Sequence, residues 1–129
     1  MTETTASEPV LVDSSGWLEY ITNDSKANLF APYLEADLIV LMPTIVIFEV
    51  RKILLGKVSR TLADFFYSTA QRKTIVGFDE TLAIKSVACS VLYKLPMADS
   101  IIYATADFHK AKLITSDSHF SELPGVVLL

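Results

Sequence analysis

Residues 9–17 read PVLVDSSGW. Val10, Leu11 and Val12 form an apolar run without polar alternation, as expected of a strand buried on both faces of a parallel sheet. Asp13 follows at its carboxyl end. Ser14 or Ser15 is placed to cap a short helix running through Trp17 to Ile21. A buried strand, an acid and a helix start thus follow one another directly, and α/β proteins build sites at that edge of the sheet.

The alternation continues along the chain. Residues 23–36 suggest a second helix, with Pro32 as a kink or a boundary. LIVLM (38–42) is a second buried strand. Pro43 ends it, and Thr44 caps a helix through Leu55 that stops at Gly56. Residues 57–73 have Val58, Leu62, Phe65, Phe66 and Thr69 at helical spacing, which predicts a longer amphipathic helix. Residues 74–77 predict a third strand, and Asp79 caps a helix over 80–93. Pro96 opens another helix to about Lys110, residues 112–115 give a fourth strand, and GVVLL gives a fifth. Strands alternating with helices imply an α/β fold, a parallel sheet of about five strands with helices on both faces. No repeat, low-complexity segment or linker divides it. A tail over residues 1–8 and one domain over 9–129 are expected.

Composition narrows the function. The chain has 129 residues, is 51 % hydrophobic and carries a net charge of −4; its pI is near 5.0 and its mean hydropathy +0.41. The longest apolar run, residues 38–48, is too short to span a bilayer and is broken by Pro43. No charged segment precedes an apolar one at the N-terminus, so no signal peptide is expected. Cys89 is the only cysteine; it reads as core and fits a reduced, cytoplasmic setting with no membrane. The surplus apolar content suggests a partner-binding surface besides the core. An acidic chain is not a generic phosphate-backbone binder. Six of the eleven bases, however, are Arg51, Lys52, Lys57, Arg60, Arg72 and Lys73, opposed within that span only by Asp64. They make either a solvated helical face, the commoner case, or a basic rim beside an acidic site.

Asp13 is one of four acids at element ends. Asp117 follows LITS at the end of the fourth strand, Glu49 sits in the apolar helix TIVIFEVRKIL, and Asp99 lies in the first turn after Pro96. Each has a plainer reading: Asp13 as an N-cap, Glu49 as a surface residue, Asp99 as a dipole acid, Asp117 as a turn residue. Jointly they are harder to dismiss, because parallel α/β packing brings strand ends and helix starts to one edge. Carboxylates gathered there repel unless a cation joins them. Oxygen ligands suit Mg²⁺ or Mn²⁺ better than Zn²⁺, and such an ion serves phosphodiester hydrolysis. Other chemistries fare worse. There is no nucleophile elbow, P-loop or dinucleotide fingerprint, and only four glycines are available to build one. His109 and His119 are too far apart for a helical metal pair; His119 reads more safely as a loop residue than as part of a site.

Five segments together, VDSSGWLEY, PTIVIFEVRKIL, LPMADSIIYATA, LITSDSHF and LPGVVLL, resemble the PIN-domain ribonucleases, in particular the VapC-type toxins of toxin–antitoxin pairs. The resemblance runs from about Val10 to Leu129. It implies a three-layer α/β/α sandwich. It also implies an acidic quartet, Asp13, Glu49, Asp99 and Asp117, that holds one or two Mg²⁺ or Mn²⁺ ions and activates water to cleave RNA. Asp13 and Asp99 would be the most direct ligands, and Ser15 and Thr115 the supporting hydroxyls. The family often has a further acid two residues after the fourth one, where this chain has His119. The resemblance implies a homodimer silenced by an antitoxin, with part of that contact placed at Phe65 and Phe66; ordinary core packing is their plainer reading and is expected of at least one of them. Arg51, Lys52, Arg72 and Lys73 are candidate RNA-backbone contacts. The alternatives are a catalytically idle PIN scaffold that binds RNA or a protein, and a phosphoacceptor receiver domain. The second fits poorly, because Lys112 begins its strand instead of ending it.

Overall fold

The computed structural model describes residues 8–129, so all of the expected tail except Glu8 lies outside the described residues. Five strands, β1 (Val10–Val12), β2 (Val40–Pro43), β3 (Thr74–Val76), β4 (Lys112–Thr115) and β5 (Val126–Leu128), form one all-parallel sheet in the order β3-β2-β1-β4-β5. Between them run α1 (Ser14–Ile21), α2 (Ala27–Glu35), α3 (Thr44–Lys57), α4 (Arg60–Ala70), α5 (Glu80–Tyr93) and α6 (Met97–Phe108).

The strand order explains the layering. From β1 to β3 the chain steps outward in one direction; after β3 it returns past β1 to β4. Right-handed crossovers then put the α1–α4 group and the α5–α6 pair on opposite faces, a three-layer α/β/α sandwich. The direction reverses between β1 and β4, so the crevice of the fold opens beyond the carboxyl ends of those two strands. β1 and β2 are fully buried, as their apolar runs require, and β4 is buried beyond Lys112, whereas β3 at the edge is largely exposed.

Packing fixes the approach of α1 to the sheet. Gly16 is buried under α2, and a Cβ there would lie 2.6 Å from both Phe30 Cε1 and Val12 Cγ1. Trp17, with no exposure, packs edge-on against Phe66 of α4 at a centroid distance of 5.5 Å.

Several element bounds differ from those expected. The cap of α1 is Asp13, whose carboxylate accepts from Gly16 N, and neither serine does this. Pro43, without a side-chain bond, stands at the N-cap of α3 in place of Thr44. That helix runs through Gly56, because backbone bonds from Val58 and Ser59 to the Leu54 carbonyl carry its last turn past the glycine. The helix expected over residues 57–73 is therefore shorter: Ser59 accepts from Leu62 N and starts α4 at Arg60. Val58 lies between the two helices. Pro32 is inside α2 and is not its boundary. No single helix among the described residues is long and apolar enough to cross a membrane.

Candidate metal centre

The four acids line one cleft of about 690 Å³ at the carboxyl edge, together with Ser14, Ser15, Leu18, Phe48, Lys52, Ile53, Lys57 and Ile102. β1 and β4 deliver Asp13 and Asp117, α3 delivers Glu49, and the first turn of α6 delivers Asp99.

Asp13 is the most buried, at 4 % exposure. Its Oδ2 accepts from Thr115 Oγ1 at 2.6 Å, its Oδ1 from Gly16 N at 2.9 Å, and both oxygens from Ser15 Oγ at 3.1 Å. Burial raises the Asp13 carboxyl above its ordinary range; these hydrogen bonds favour the charged form and oppose the shift, and the charge of Asp117 adds to it. Thr115 Oγ1 also accepts from Asp117 N at 2.9 Å, so one hydroxyl couples both acids. Glu49 is held by Ser14 Oγ, which donates to its Oε1 at 2.6 Å. The carboxyl of Asp99 is also raised, first by burial and then by Asp117; His119 opposes the shift, and Glu49 and Asp13 add to it. The charge of Asp117 thus bears on both Asp13 and Asp99, and those of Glu49 and Asp13 on Asp99, and a cation in the cleft would relieve this repulsion.

Two features are legible in the sequence only in part. Ser14 reads there only as a cap, yet it orients Glu49, a partner 35 positions away on a different helix. The safer reading of His119 as a loop residue also misses its place: Nδ1 lies 3.2 Å from Asp117 Oδ1 and 3.6 Å from Asp99 Oδ2. Asp99, Asp117 and His119 each offer an atom, all within 4.8 Å of one another. The donor set fits a divalent cation.

The basic residues divide. Lys52 and Lys57 line the cleft with the acids. Arg51 turns away to α4, donating to the Ala63 carbonyl at 2.9 Å and pairing with Asp64 at 3.0 Å. Lys73 donates to the Leu34 carbonyl, and Arg72 is exposed outside the cleft lining. Of the two phenylalanines on α4, Phe65 is 57 % exposed, but Phe66 is fully buried. Phe66 therefore belongs to the core and offers no surface to a partner, a correction to its expected role.

The family model described as the PIN domain matches residues 10–126. No curated protein matches the chain. Among solved structures it is similar to a chain of a toxin–antitoxin complex from Klebsiella pneumoniae, with a TM-score of 0.79, 24 % identity and coverage of 92 % of this chain and 95 % of that one. It is also similar to a chain of VapBC2 from Rickettsia felis, solved bound to a DNA fragment from their promoter, with a TM-score of 0.72, 12 % identity and coverage of 94 % and 97 %. At these identities the likeness to the two structures is one of fold.

Proposed function

Since this chain belongs to the PIN-domain family, we propose that it is a metal-dependent endoribonuclease, the VapC-type toxin of a toxin–antitoxin pair. The observation that carries the reading is the convergence of Asp13, Glu49, Asp99 and Asp117 on one cleft at the switch point of the sheet. The family is generally one of nucleases that use a divalent metal, and the two similar folds come from toxin–antitoxin assemblies.

Asp13, Asp99, Asp117 and Glu49 would hold Mg²⁺ or Mn²⁺. Such an ion supplies the positive charge that lets a carboxylate cleft meet a phosphodiester, and lowers the pKa of a water. The chain's own residues do the positioning. Thr115 and Ser15 fix the Asp13 carboxylate, and Ser14 fixes that of Glu49. Lys52 and Lys57 bring ammonium groups to the rim, where RNA phosphates would pass. Leu18, Phe48, Ile53 and Ile102 form the apolar side of the cleft.

Exposed apolar residues support the partner part of the reading. Phe65, Phe48 and Ile53 lie open on α3 and α4, on the side where we place the antitoxin. Ile84, Val87 and Val91 recur on the open face of α5, beside Met97, and suit a second copy of the chain.

Incubating total RNA with the purified chain, freed of any partner, in Mn²⁺, Mg²⁺ or EDTA tests the reading. Discrete fragments that require the ion are expected. Binding without cleavage by folded, metal-loaded protein would move the function to an idle scaffold.

A further inference from the structure

His119 is the one imidazole among the acids of the cleft, and local structure fixes where it stands. A short 3₁₀ turn over Ser118–Phe120 carries it. Its own backbone N–H donates to Asp117 Oδ1 at 2.9 Å, and the next residue, Phe120, is anchored in the core with 1 % exposure. The backbone at His119 is therefore anchored, and the ring turns its Nδ1 to the Asp117 and Asp99 carboxylates while 66 % of the side chain stays open to solvent. The 3.2 Å and 3.6 Å separations of Nδ1 from the two carboxylate oxygens fall within the roughly 3–4 Å between neighbouring donors around one ion with bonds near 2.1 Å.

We propose that His119 Nδ1 is a ligand to the cation held by Asp99 and Asp117, and that this nitrogen makes the cleft select Mn²⁺ over Mg²⁺. The inference rests on the metal-dependent reading above and deepens it. Mg²⁺ prefers an all-oxygen shell, whereas a first-row transition ion accepts imidazole readily, so one nitrogen among carboxylates separates the two ions. The opposing account makes the ring a resident positive charge that neutralises Asp99 and Asp117 and competes with any metal. The two accounts differ in sign: removing a ligand weakens Mn²⁺ binding, and removing a competing cation strengthens it.

The test is calorimetric titration of the untagged full chain with MnCl₂ and with MgCl₂, for the wild type, His119→Ala, His119→Asp and Asp99→Asn. Electron spin-echo modulation on the Mn²⁺-loaded samples reads directly bound nitrogen. His119→Ala should lose at least the roughly tenfold in Mn²⁺ affinity that even an outer partner of a ligand contributes, with a smaller change for Mg²⁺, and should lose the ¹⁴N modulation. His119→Asp should keep Mn²⁺ binding but narrow the preference for it over Mg²⁺. The proposal is overturned if His119→Ala binds Mn²⁺ as well as or better than the wild type, or if the wild type binds Mn²⁺ through Asp99 with no ¹⁴N modulation; the metal-dependent reading then stands. Wild-type protein that binds neither ion overturns both.

Discussion

The Thr115 hydroxyl donates to Asp13 Oδ2 at 2.6 Å, joining the ends of two adjacent parallel strands across 102 positions of sequence. The same oxygen receives the Asp117 backbone N–H. One buried side chain thus sets both strand-end acids, and the site depends on the β1–β4 pairing that the strand order creates.

Thr115→Val keeps the shape of the side chain but removes the partner of the Asp117 N–H and leaves Asp13 Oδ2 with only its longer bond from Ser15 Oγ at 3.1 Å. Removing one partner of a buried polar group costs about 1–3 kcal/mol. Chemical denaturation should show a loss of that size, and metal affinity should fall with it. Stability equal to the wild type would mean that the hydroxyl does not hold the site together.

Asp13 and Asp99 are both raised above the ordinary carboxylate value of 3.8, with burial as the first cause. A carboxyl raised in the folded state binds its proton more tightly there than in the unfolded chain. Its contribution to stability is complete below the unfolded value and is lost as pH rises through the folded one. In EDTA, stability should therefore fall as pH climbs upward from about 4, and Asp99→Asn should flatten that slope and stabilise the chain at neutral pH. A slope unchanged in Asp99→Asn would contradict the assignment. Asp13→Asn differs, because its carboxylate caps α1 and accepts from Thr115 and Ser15. Repulsion falls, but about 1 kcal/mol of hydrogen bonding is lost for each bond that the amide cannot replace.

The two phenylalanines of α4 should separate cleanly. Phe66→Ala empties a fully buried site against Trp17 and should cost about 3–5 kcal/mol. Phe65→Ala, at an exposed position, should stay within about 0.5 kcal/mol and weaken capture of the antitoxin. Pull-down and thermal melts on both variants check this; equal stability losses would place Phe65 in the core as well.

Lys52→Ala should lower RNA affinity and flatten its dependence on salt, since an ammonium on the cleft rim releases a counterion when it meets phosphate. Arg51→Ala should act differently. Its guanidinium is committed to Ala63 and Asp64, so the loss should be in stability, about 1 kcal/mol. The salt slope of filter-binding curves separates them. A larger change for Arg51→Ala would return that residue to the RNA path.

The strands were legible because burial on both faces leaves only apolar choices for Val10–Val12, Val40–Met42 and Leu113–Ile114. Capping was legible where the signal is local, as at Asp79, which accepts from Leu82 N. The break between α3 and α4 was not. Gly56 is a stop signal in sequence, but here it sits inside a helix whose end is set by Val58 and the cap at Ser59. Helical periodicity across residues 57–73 cannot register a two-residue joint. Asp13, Asp99 and Asp117 could be named from the sequence by their places at element ends, and Glu49, inside α3, by the resemblance that names all four. The Ser14–Glu49 bond could not, because it arises only when α1 packs on α3. Its place two residues after Asp117 put His119 near the site in sequence, but its approach to Asp99 was not legible, because Asp99 comes from a helix on the other side of β4 in sequence.

The most direct measurement is cleavage of a defined single-stranded RNA by wild-type protein and Asp99→Asn, side by side, in Mn²⁺ and in EDTA, with the product ends identified. The account predicts cleavage by the wild type only with metal, none by Asp99→Asn, and no cyclic phosphate among the ends, because water and not the ribose 2′-hydroxyl attacks phosphorus. Fragments that persist in EDTA, carry 2′,3′-cyclic phosphate or form equally well with Asp99→Asn would contradict it.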